Sequence, residues 1–106
     1  MSGAPDPMAG LKDRFRARLA EERSLLASAA ASGDSATLRS ICHRIAGAGG
    51  MFGYGQLSAL ASRVEEAIDD DRPPGTLARL SADLLRLIDD VVAQDAEAFA
   101  ATGQSR

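Results

Sequence analysis

The chain has 106 residues, with twelve Lys and Arg against fifteen Asp and Glu, for a formal net charge of −3. That length suits one domain with a modest core, and the acidic balance argues against a nucleic-acid surface. No apolar run reaches the ~18 residues of a membrane span, no basic and apolar leader opens the sequence, and a single cysteine, Cys42, rules out an internal disulfide and a thiolate zinc site.

Aromatic residues make up only 4% and tryptophan is absent, so a core must be built from Leu, Ala, Ile and Val. Ala and Leu are strong helix formers, and the composition leans all-α. Residues 1–7 carry Gly3, Pro5 and Pro7 and read as a short N-terminal lead-in. A first helix is predicted over about 8–31, where Met8, Leu11, Phe15, Leu19, Leu26 and Ala29 keep helical spacing and Glu22 alone breaks the apolar series. Ser32-Gly33 ends it, and Asp34 is placed to cap the next helix.

The second helix is predicted over about 35–51, before the break at Gly53-Tyr54-Gly55. The third covers about 56–70, with Leu57, Leu60, Ala61, Val64 and Ile68 as its apolar stripe. Asp69, Asp70 and Asp71 oppose the dipole at its C-terminus, so that end is expected to fray. Arg72-Pro73-Pro74-Gly75 is the sharpest break in the chain. The last helix is predicted over about 74–100, with Leu77, Leu80, Leu84, Leu87, Ile88, Val91 and Val92 on one face, Phe99 towards the bundle end and residues 101–106 as tail. Four amphipathic helices joined by short breaks predict one domain over residues 1–106: an antiparallel up-down four-helix bundle with longer outer helices. The loose ends read as those of a free-standing chain, with a monomer and a cytoplasmic location as the expectations.

Chemistry concentrates around the only histidine, His43. With His43 at zero on a helical wheel, Leu38, Ile41, Ile45, Ala48 and Phe52 fall within about 40° of the opposite pole. Arg39, Gly47 and Gly50 fall within about 40° of His43, and Ser40 and Ala46 lie about 60° away. The imidazole is therefore predicted to stand outward on a nearly bare face, since its i+4 and i+7 neighbours are both glycine. From Ser35 to Val64 there is no Asp or Glu, while Arg39, Arg44 and Arg63 are present. A cationic patch beside an exposed histidine would suit an anionic group or an acidic pocket on a partner.

Other features read as structural. Cys42 borders the apolar stripe and is expected to be a buried thiol. The runs Asp69–Asp71 and Asp89-Asp90 cannot close on one ion, because successive helical side chains diverge; they read as solvated, and no metal site is expected. No Walker or kinase glycine-rich loop is present, so no ATP site and no autokinase activity are expected. A general-base enzyme would need a carboxylate beside His43; the flanking stretch has none, and although a distant one could fold in, the flat face offers no pocket.

His43, Gly47 four residues on, Gly53 ten residues on, and the leucine-rich helix carrying Leu57, Leu60 and Val64-Glu65 together resemble the histidine phosphotransfer (HPt) domain. Gly50 matches a further glycine common in that family. The resemblance spans about residues 34–68 by motif and the whole chain by helix number and length. It departs at Ala46, where the family often has a lysine that supports the phosphoryl group, and Arg39 or Arg44 would have to substitute. The resemblance implies that His43 carries a phosphoryl group on Nε2 between aspartates of receiver domains, which belong to response regulators or hybrid histidine kinases. Mg²⁺ would come with the receiver, with no cofactor in this chain. The partner-facing candidates are Arg39, Ser40, Arg44, Ala46, Gly47 and Gly50. The alternative is an interaction-only bundle of the same fold that binds a kinase or receiver without carrying phosphate.

Overall fold

Four α-helices follow one another: α1 (Pro7–Ser32), α2 (Ser35–Met51), α3 (Gly55–Asp69) and α4 (Pro74–Gln104). The computed structural model describes residues 7–104, with side-chain surroundings for residues 9–94. Most of the expected lead-in, residues 1–6, lies outside the described residues, as do the Phe99 side chain and residues 105–106. Pro7 opens α1, as a residue without an N–H can at a first helical position. The end of α4 differs from expectation: residues 101–104, read as tail, continue the helix, because Ala100 and Ala101 favour its propagation.

The helices are separated by turns of two to four residues, and each turn is closed in the same way. Gly33 has φ +73, and the N–H groups of Gly33 and Asp34 donate back to the carbonyls of Ala30 and Ala29. This left-handed closure satisfies the carbonyls a helix end leaves open. Asp34 then caps α2 by accepting the Thr37 N–H at 3.2 Å, and hydrogen bonding from the Thr37 side chain first and its backbone second holds the carboxyl below the usual range. Gly53, at φ +87, ends α2 identically, with Tyr54 N–H donating to the Gly49 carbonyl at 2.8 Å.

α3 corrects the expectation of fraying. Asp71 adopts φ +53, the N–H of Arg72 donates to the Ala67 carbonyl at 2.9 Å, and that of Asp71 donates to the Ile68 carbonyl at 3.2 Å. The acids oppose the dipole, but the backbone closure supplies donors at that end. Asp69 is not simply solvated either, because Arg39 of α2 engages it.

Among the described residues, each helix packs against its two neighbours in the ring α1–α2–α3–α4 and not against the diagonal one. With short turns, this is the antiparallel up-down bundle. Leu19 and Leu26, Leu38, Ile41 and Ile45, Leu57 and Val64, and Leu84 and Ile88 fill its centre from the four helices in turn. On α2 the buried seam is Leu38, Ile41, Cys42, Ile45 and Gly49, whereas Ala48 and Phe52, expected in it, are only partly buried. The seam is turned towards α3. There Gly49 lies against the start of α3, where a Cβ would make ordinary contact with the Ser58 nitrogen and Tyr54 oxygen at 3.5 Å. Phe52 instead faces Phe15, ring centroids 5.4 Å apart, and Phe15 stacks on Tyr54 at 5.6 Å. The Ser58 hydroxyl donates to the Ala46 carbonyl at 2.6 Å and ties α2 to α3.

Candidate functional site

His43 lies mid-way along α2, on the side opposite the buried seam, and its side chain is 75% exposed. Its Nδ1 sits 3.1 Å from Oε2 of Glu65 on α3. An ionised carboxylate can only accept, so this contact favours the neutral tautomer with its proton on Nδ1 and its lone pair on Nε2. Glu65 is itself only 14% exposed, so a nearly buried acid holds the inner edge of a nearly free ring.

Glu65 is a carboxylate from outside the acid-free stretch that folds in beside His43. It stands one position beyond the acid-free stretch, and α3 folds it back. His43 and Glu65 are each eleven residues from Tyr54, Arg39 and Asp69 each fifteen, and Gly50 and Ser58 each four. In an antiparallel helical hairpin, residues equidistant from the turn face one another. Glu65 was visible as a motif position, and counting outward from the turn would have paired it with His43.

The same register removes the expected free cationic patch. Arg39 donates from Nε and Nη2 to the two carboxylate oxygens of Asp69, at 2.7 and 3.0 Å, and its Nη1 lies 3.7 Å from Glu65 Oε2. The hydrogen bonds from Arg39 hold the Asp69 carboxyl below its ordinary value, and the guanidinium is raised in turn. Arg44 is engaged from the other flank: its Nε and Nη2 donate to Oε2 of Glu22 on α1, at 3.2 and 2.6 Å. Glu22 and Arg44 are each eleven residues from Gly33, so Glu22 interrupts the apolar pattern of α1 to meet α2. Arg63 lies elsewhere, lining a cleft between α3 and α4.

The remaining candidates divide by flank. Gly47 is exposed, and a Cβ there would touch nothing within 4 Å. Ser40 is exposed beside Arg44 and lines the α1–α2 cleft. Gly50 is exposed but leans towards α3, where a Cβ would meet the Ser58 hydroxyl at 3.5 Å. Ala46 is partly buried against the core, with its carbonyl occupied by Ser58.

The model of the Hpt domain family matches residues 10–98. The chain belongs to the Hpt domain family. Comparison with curated proteins and with solved structures gave no match. Hpt domains are phosphocarriers of phosphorelays and interact with receiver domains. In this Hpt domain the thiol of Cys42, next to His43 in sequence, is buried and pushed up to about 12, by burial first and by the charge of Glu65 second. Among the described residues, no three His, Cys, Asp or Glu side chains converge as a metal site requires, and no helix is long and apolar enough to cross a membrane.

Proposed function

We propose that this Hpt domain, as one domain over residues 1–106, relays a phosphoryl group through Nε2 of His43 between aspartates of receiver domains in response regulators or hybrid histidine kinases. The observation that carries the reading is the exposed imidazole held at Nδ1 by Glu65. Neutral imidazole with its lone pair on the outer nitrogen is a nucleophile near neutral pH. Phosphoryl transfer asks mainly for in-line positioning and charge stabilisation. The Nε2 lone pair attacks phosphorus, the bond to the receiver aspartate breaks, and that carboxylate leaves. The positive charge gained by the ring is shared with Nδ1–H, against Glu65.

Gly47 and Gly50 leave room for a partner backbone beside the ring, with Ser40 and Ala46 on its flanks. Arg39 and Arg44 border this surface as ion-paired groups rather than free cations. The receiver supplies its own acidic pocket and Mg²⁺, and the phosphate enters from a partner rather than from ATP. The setting is cytoplasmic and the working form a monomer.

Incubation with a phosphorylated receiver and Mg²⁺ tests the reading. One acid-labile, base-stable phosphate per chain is expected, and none in His43→Gln. Failure with every receiver and hybrid kinase of the source organism would overturn it. A second reading, the interaction-only bundle, is favoured by one observation: Arg39 and Arg44, the cations nearest the ring in the helix, are both committed to carboxylates. Receiver binding that survives His43→Gln without phosphate uptake would select it.

A further inference from the structure

We propose that Arg39, clamped by Asp69, is a positioning residue for His43 that acts through Glu65. The proposal rests on the reading of His43 as the phosphate carrier.

The geometry is a two-rung ladder between α2 and α3. Arg39 and His43 are one helical turn apart on α2, and Asp69 and Glu65 are one turn apart on α3. A single atom joins the rungs: Glu65 Oε2 lies 3.1 Å from His43 Nδ1 and 3.7 Å from Arg39 Nη1. Two of the three guanidinium nitrogens are spent on Asp69. That fork-to-fork contact fixes the plane of the group as well as its position, and the third nitrogen is left at the Glu65 oxygen that the ring uses. All three are therefore directed at carboxylates of α3. Arg39 faces the support of the ring, not the place where a phosphoryl group would sit.

Such a support matters because a free neutral histidine side chain prefers the tautomer with its proton on Nε2. In that form the outer nitrogen has no lone pair, and the ring cannot attack phosphorus through Nε2. Glu65 reverses the preference only while its carboxylate stays on Nδ1. A glutamate side chain has three rotatable bonds, and holding it still costs rotamer entropy. His43, three-quarters exposed, is a weak anchor by itself. A clamped cation on the other side of the same oxygen restrains it. The charged groups around the ring are Arg39 and Arg44 on its own helix, Glu65 and Asp69 on α3, and Glu22 on α1. Among the described residues, Glu65 is the one within hydrogen-bond reach of the imidazole, so the setting of the ring passes through it.

The chain has one histidine, so ¹⁵N-labelled imidazole gives one unambiguous pair of NMR signals. Measured on the full chain at about pH 8.5, well above the ordinary histidine value, the wild type is expected to show mainly the Nδ1–H tautomer. Arg39→Ala should move the shifts towards an Nε2–H mixture, as Glu65→Ala does, with Arg39→Lys in between. Arg39→Gln, which keeps the stem and loses the charge, serves as a second variant if Arg39→Ala does not fold.

Phosphoramidate provides a receiver-free readout. Nε2 attacks phosphorus, the P–N bond breaks and ammonia leaves. Arg39→Ala and Glu65→Ala should each slow this labelling on the order of threefold to tenfold, and the double variant should slow it no further, because both losses remove one contact. An unchanged tautomer ratio and labelling rate in Arg39→Ala and Arg39→Gln would overturn the proposal. So would full additivity in the double variant. Neither measurement needs a receiver, so failure to find a phosphorelay partner would remove the relay reading without touching this result.

Discussion

Cys42 and His43 are adjacent in sequence and have opposite fates. A rotation of about 100° along the helix separates them. It puts the thiol at 0% exposure in the core and the imidazole at 75% exposure outside it. Burial raises the thiol to about 12, so thiolate, the reactive form, is scarce at pH 8. Iodoacetamide should therefore alkylate the native chain far more slowly than the chain in urea, and the native rate should track opening of the bundle. Equal rates would show the thiol to be accessible. Asp69 provides a second residue-level test. Hydrogen bonds from Arg39 chiefly depress its carboxyl below the ordinary 3.8, and desolvation opposes them. A depressed folded value means that the stabilisation is present above the unfolded value and is lost as the pH falls through the folded one. In urea titrations, Asp69→Asn should be less stable than the wild type at neutral pH, and the difference should shrink as the pH falls below 3.8 through the folded value.

At the scale of elements, the three helix ends form a controlled comparison. Gly33 and Gly53 take the left-handed closure with glycine, and Asp71 takes it with a side chain. A left-handed residue with a Cβ is strained by about 1–2 kcal/mol, less for Asp than for most. Asp71→Gly relieves that strain and removes a negative charge from the C-terminal end of α3, against the greater freedom of glycine in the unfolded chain. A net gain of about 0.5–1 kcal/mol is expected, read as a higher urea midpoint at unchanged slope; a lower midpoint would contradict it. The same comparison shows what was legible beforehand. Ser32-Gly33, Asp34 and Gly53 carry their signals locally, and the helices follow from apolar spacing. Asp71 gives no such signal, because aspartate is common in ordinary coil and its left-handed backbone appears only once the turn is formed. The site was half legible. The outward pole of His43 follows from the wheel, whereas the partners of Arg39, His43 and Arg44 lie 30, 22 and 22 residues away. A count of charge along the chain treats those acids as distant, and only the position of each turn brings them opposite.

For the molecule as a whole, the bundle keeps what holds it together apart from what it presents. Leu26, at 0% exposure, belongs to the first. Leu26→Ala should cost about 2–5 kcal/mol through lost contacts and a cavity, while the ¹⁵N signature of His43 stays as in the wild type wherever the variant is folded. Met51 belongs to the second. It is 73% exposed and, with Leu11 and Leu25, is one of the large apolar side chains the bundle leaves in water. Leu11 and Leu25 line clefts between α1 and α2, and Arg44, paired to Glu22, borders both. Met51 lies eight residues after His43, about 12 Å along the same helix, within reach of a domain that docks over Nε2 and extends towards the C-terminal end of α2. An exposed methionine adapts its shape to a partner and loses little when removed from the free protein. Met51→Ser should therefore leave the urea midpoint and phosphoramidate labelling at wild-type levels and slow transfer from a phosphorylated receiver, with the loss appearing as weaker receiver binding. Equal slowing of both phosphate donors would place the defect in the ring and not in docking. No slowing of either would place the receiver on another part of the His43 face.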